Sequence, residues 1–91
     1  MEIKYYATLR DITKRTEESW PVQIDTLAEL IDLLSAKYGK SFQKWVSFNE
    51  GAFGSLSIFL INGYDYRSLD GLQTRLKESD VISIFPPIAG G

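Results

Sequence analysis

Ninety-one residues, 44% of them hydrophobic and with a formal net charge of −2, describe one small domain built around one core. Acids and bases are interspersed, which excludes a basic field for nucleic acid. No window approaches the ~20 apolar residues that cross a bilayer, and no signal-peptide pattern opens the chain, so a cytoplasmic protein bound to neither nucleic acid nor membrane is expected. There is no cysteine and no histidine, which removes disulfides, thiolate nucleophiles, soft metal sites and the usual general base. Chemistry is left to carboxylates, lysines, tyrosines or the chain terminus, and an enzyme acting alone is not expected.

Taken in order, Ile3 to Arg10 predicts a first strand whose odd positions, Ile3, Tyr5, Ala7 and Leu9, face the core. The polar Asp11 to Thr16 reads as a turn into a second, antiparallel strand near Glu17 to Ile24, with Pro21 marking an edge position or a bulge. Thr26-Leu27-Ala28-Glu29 is a capping box. Leu27, Leu30, Ile31, Leu34 and Tyr38 follow at the spacing of one helical stripe, and Gly39 suits a left-handed C-cap. Phe42, Trp45, Val46 and Phe48 fit a short helix packed on the main one, and Asn49 to Gly54 reads as a flexible loop.

Leu56 to Ile61 is a nearly continuous apolar run, expected of a strand covered on at least one face. Asn62-Gly63 is a hairpin signal, because both residues tolerate positive φ. Tyr64 to Arg67 then predicts a short returning strand, Leu69 to Leu72 a turn, and Lys77 to Asp80 a polar bend that launches the final strand, Val81 to Phe85. Pro86 and Pro87 stop that strand, since neither can donate a ladder hydrogen bond. Ile88-Ala89-Gly90-Gly91 follows, and two residues without Cβ let backbone enter a passage too narrow for any side chain. A stiff spacer between a core strand and paired glycines reads as a functional tail, with a domain over 1–86 and a flexible tail over 87–91.

Strand, strand, helix, strand, short strand, strand suits an α+β fold with one mixed sheet and one crossing helix. The ubiquitin-like β-grasp is the compact arrangement of that order, with strands one and five parallel at the centre.

The strand leading to Leu9-Arg10-Asp11, the helix ending Lys37-Tyr38-Gly39, Ile61-Asn62-Gly63, and above all Ile84-Phe85-Pro86-Pro87-Ile88-Ala89-Gly90-Gly91 resemble the MoaD-like small subunit of molybdopterin synthase, a ubiquitin-like sulfur carrier. The resemblance implies that the Gly91 carboxylate is adenylated by an E1-like activating enzyme using ATP and converted to a thiocarboxylate. It further implies that Pro86, Pro87, Ile88, Ala89 and Gly90 thread into a large synthase subunit, in a heterotetramer, where the sulfur is delivered to a pyranopterin to make molybdopterin. The carrier itself holds no cofactor and no metal, and the catalytic groups belong to its partners. A docking face is also expected. If Ile82 and Ile84 point inward, alternation turns Phe85 outward beside Tyr6, with Tyr66 adjoining them. Other roles fit the same tail: a protein modifier joined through Gly91 to target lysines, a sulfur carrier for thiazole or tRNA thiolation, or an interaction module whose tail is inert.

Overall fold

The computed structural model describes residues 1–20, 23–46 and 57–86. Pro21 and the stretch containing Phe48, the 49–54 loop and Leu56 lie outside them, as do Pro87, Ile88, Ala89, Gly90 and Gly91. The chain runs β1 (Glu2–Tyr5), α1 (Thr8–Thr13), β2 (Glu17–Ser19), α2 (Leu27–Tyr38), α3 (Lys40–Val46), β3 (Ile58–Ile61), β4 (Tyr64–Asp65) and β5 (Val81–Phe85). Single 3-10 turns occur at Tyr66–Ser68 and Gly71–Gln73.

The strands form one sheet in the order β2-β1-β5-β3-β4. β1 and β5 are parallel and central, with Ile3 opposite Ile82 and Tyr5 opposite Ile84, while the other pairs are antiparallel. This is the mixed sheet and crossing helix expected of the β-grasp arrangement. The inner face buries Ile3, Tyr5, Phe59, Ile61, Ile82 and Ile84, and α2 lays its stripe of Leu27, Leu30, Ile31 and Leu34 against them. Thr26 caps α2, its hydroxyl accepting from the Glu29 amide at 3.3 Å, and Gly39 leaves the helix at φ 81°, a region open to glycine. α3 adds Phe42 and Val46 to the core from beneath.

Strand one is shorter than its alternation predicted. Ala7 takes φ 52°, which breaks the extended run, and Thr8–Thr13 then winds into α1 instead of continuing as a strand and a turn. Leu9 still reaches the core, but from a helix, and Ala7 is exposed. The competing signal was Leu9, Ile12 and Thr13 at helical spacing, with Lys14 closing the helix in the left-handed region at φ 63°. Strand two is likewise cut to three residues. The Asn62-Gly63 turn forms as expected, with φ 54° and 88°, and the Asn62 side chain ties it to β5 by accepting from the Val81 amide and donating to Asp80, each at 2.9 Å.

The short β2 is fastened to α2 by a carboxylate. Glu18 points inward and is nearly inaccessible; it accepts from the Tyr5 hydroxyl at 2.6 Å, the Trp20 indole N–H at 2.7 Å, the Lys37 ammonium at 2.7 Å and the Tyr38 hydroxyl. Burial opposes its charge, but donation from Lys37, Tyr38, Tyr5 and Trp20 outweighs that, holding its pKa down at about 2. Burial and then the neighbouring Glu18 carboxylate push Tyr5 and Tyr38 up, so both stay as hydroxyl donors. A bare buried carboxylate would cost several kcal/mol, and this one is fully hydrogen-bonded.

Candidate functional site

Because β1 and β5 are parallel, both end at the same edge of the sheet, and the chain leaves β5 there through Phe85 and Pro86. Alternation along each strand leaves a second face away from the helices. On it lie Glu2 and Lys4 from β1, Ile58 and Leu60 from β3, and Val81, Ser83 and Phe85 from β5, all partly accessible. The register sets Ile58 opposite Phe85 and Leu60 opposite Ser83. Tyr6, the residue after Tyr5, lies beside Phe85. Their rings stack at 4.2 Å between centroids with 12° between planes.

Tyr6, Phe85 and Ile58 therefore make an apolar row across three elements at the root of the tail, with Leu60 and Val81 extending it along the sheet. The face changes character toward β2. There Glu2 accepts from Ser19 at 2.7 Å. The Ser19 hydroxyl and then Glu17 hold its carboxyl below the usual range, while Glu2 pushes that of Glu17 up. An apolar centre at the tail root with a charged margin is the pattern that would suit a docking partner.

Of the three aromatic residues assigned to this face from the sequence, Tyr6 and Phe85 are brought together and Tyr66 is not. β4 stops after Asp65, whose carboxylate accepts from the Arg67 amide at 2.8 Å and starts the 3-10 turn. Tyr66 lies inward, 4% exposed, and meets Phe59 edge-on at 5.3 Å. Tyr66 is a core residue. Pro86, expected to thread with the tail, is buried against the domain. Ile58 and Leu60 were not assigned to the face from sequence. Their signal was the unbroken apolar run, since a strand apolar at every position has two apolar faces to cover.

Little else among the described residues offers chemistry. No group of three or more acidic side chains there is placed to hold a metal ion. No described helix is long and apolar enough to cross a membrane. An open depression between Tyr64, Leu69, Arg75 and Lys77 lies at the opposite end of the sheet from the tail root, where β5 begins.

Comparison with known proteins shows the family. The ThiS family matches residues 3–91. Small archaeal modifier protein 3 of Haloferax volcanii is 30% identical over 92 residues, covering 100% of this chain and 98% of that protein. A protein of Archaeoglobus fulgidus, provisionally named a sulfur carrier, is 38% identical over 66 residues, or 72% of this chain and 74% of that protein. The solution structure of small archaeal modifier protein 1 from Methanosarcina acetivorans superposes with a TM-score of 0.77 at 33% identity, covering 99% of this chain and 94% of that one.

Proposed function

Because this chain belongs to the ThiS family of ubiquitin-like sulfur carriers, we propose that Gly91 is its reactive terminus and that a partner activates it for sulfur transfer in molybdopterin synthesis. A carboxylate is a poor electrophile until one oxygen becomes a leaving group. Attack of that oxygen on the α-phosphate of ATP expels pyrophosphate and gives an acyl-adenylate. A sulfur nucleophile then adds at the carbonyl carbon and AMP departs, leaving a thiocarboxylate. A chain with neither histidine nor cysteine needs only to present the carboxylate. ATP, the activating enzyme and the large synthase subunit supply the rest, and the chain works in the cytoplasm as a carrier, not a catalyst.

The observation that carries this reading is the position of the apolar row. Tyr6, Phe85 and Ile58 sit at the edge where the tail leaves the sheet, and the five residues after Pro86, ending at Gly91, reach at most about 18 Å. A partner seated on the row has the terminus within the depth of an active-site channel. The test is reconstitution: with an E1-like enzyme, ATP, a sulfur donor and the large subunit, the parent chain should yield molybdopterin from its pyranopterin precursor, and a chain lacking Gly91 should yield none.

A second reading is supported by the two modifier proteins among its relatives. The same activated terminus, attacked by a lysine amine instead of a sulfur nucleophile, forms an isopeptide. Both readings share the activation step and the docking face, and part only at the nucleophile.

A further inference from the structure

The buried Glu18 carboxylate lies on the helical side of the sheet, away from the docking face, yet it governs a residue that matters to acyl chemistry. All six lysines, Lys4, Lys14, Lys37, Lys40, Lys44 and Lys77, lie among the described residues. Of these, only Lys37 is in an ion pair within the described residues. Its side chain is 42% exposed, so access alone does not protect it, whereas the Glu18 side chain it meets at 2.7 Å is 5% exposed. The ammonium also stands 5.3 Å from the ring centroids of both Trp20 and Tyr38, a cation–π cage on two sides.

We propose that the folded domain withholds Lys37 from acyl transfer, making it a modification site gated by its ion pair with the buried Glu18 carboxylate. Acylation needs the free amine. The ammonium first gives a proton to solvent. The nitrogen lone pair then attacks the carbonyl carbon of an acyl-adenylate or thioester, the C–N bond forms as the acyl–O or acyl–S bond breaks, and AMP or thiolate leaves with the electron pair while a second proton goes to water. Within the cage the first step strips the cation from a carboxylate that Tyr5, Trp20 and Tyr38 keep charged but cannot neutralise. Once formed, the amide is neutral, so Glu18 is left buried without a counter-charge and the β2–α2 contact closes less readily. Modification thus records that the ion pair has been broken. The inference draws on the proposed chemistry of Gly91 only for its physiological acyl donor, and a chemical reagent tests it independently of that reading.

The experiment is competitive labelling of the folded protein with sub-stoichiometric N-hydroxysuccinimidyl acetate, read lysine by lysine by peptide mass mapping. Lys37 should react several-fold more slowly than the exposed Lys40, because the Glu18 carboxylate at 2.7 Å holds its amine protonated, and the gap should close in denaturant. Glu18→Gln should bring Lys37 up to the rate of Lys40 and leave Lys40 and Lys77 unchanged. Equal rates at Lys37 and Lys40 in the folded parent would overturn the proposal, as would a Lys37 that stays slow in a folded Glu18→Gln variant. If that variant unfolds and all rates rise together, the parent compared in buffer and in denaturant decides alone.

Discussion

Acid should loosen this domain at one identifiable place. Glu18 has a carboxyl pKa of 4.5 when unperturbed and about 2 in the folded protein. A folded pKa below the unfolded one means that the group stabilises the fold above 4.5, and that this contribution disappears as pH falls toward 2. The gap corresponds to roughly 3 kcal/mol at about 1.4 kcal/mol per unit. Lys37 is 42% exposed, so solvent screening reduces the observable part to about 2 kcal/mol. Urea unfolding between about pH 6 and pH 3, followed by far-ultraviolet circular dichroism, measures it. The parent should lose about 1 kcal/mol more over that range than Glu18→Gln, because pH 3 reaches only part of the way down to the folded pKa; Glu18→Gln is destabilised throughout but has no carboxyl to titrate there. Parallel stability curves for the two proteins would show that the four donors do not hold the charge, and the fastening of β2 to α2 would need another cause.

On the docking face, Phe85→Asp and Ile58→Glu should each weaken association with the activating enzyme by about 100-fold. Thermal stability should fall by only about 1 kcal/mol in each, because both side chains are partly exposed, and in Phe85→Asp the loss is mainly the stacked pair with Tyr6. Leu33→Glu, on the solvent side of α2, should leave binding unchanged, as calorimetry with the same enzyme would show. Tyr66→Ala should do the reverse: a stability loss of about 3 kcal/mol in denaturant titration, with binding per folded molecule retained. Gly90→Ala should dock with parental affinity yet slow ATP–pyrophosphate exchange by roughly tenfold or more, because a Cβ enters a passage fitted to bare backbone. Normal exchange would mean that the passage has room to spare.

The fold was legible in the sequence where pattern and punctuation agreed. α2 has a cap, a stripe and a terminal glycine, and β3 has its Asn62-Gly63 turn; both form close to their expected bounds. The parallel pairing of β1 and β5 followed from element order, and with it the meeting of Tyr6 and Phe85. Where two periods competed, alternation misled. Ile3 to Leu9 satisfies a strand of period two, but Leu9, Ile12 and Thr13 satisfy a helix, and the break at Ala7 is a backbone event that its side chain does not announce. Tyr66 was misplaced because the sequence alone does not give the pairing of the strand after Asn62-Gly63; with Ile61 opposite Tyr64, Tyr66 falls on the side of the sheet that faces the core. The Glu18 network was hidden because its donors come from β1, the end of β2 and the last turn of α2, and only the folded chain brings them to one carboxylate.

The central claim, that Gly91 is the reactive group, is tested most directly by the intact mass of the protein after incubation with an E1-like activating enzyme, ATP and a sulfur donor. Exchange of one terminal oxygen for sulfur adds about sixteen mass units, and the gain should map to the C-terminal peptide and depend on ATP. A protein of unchanged mass under conditions that activate a known carrier would contradict the claim, and so would a mass gain that persists when Gly91 is deleted.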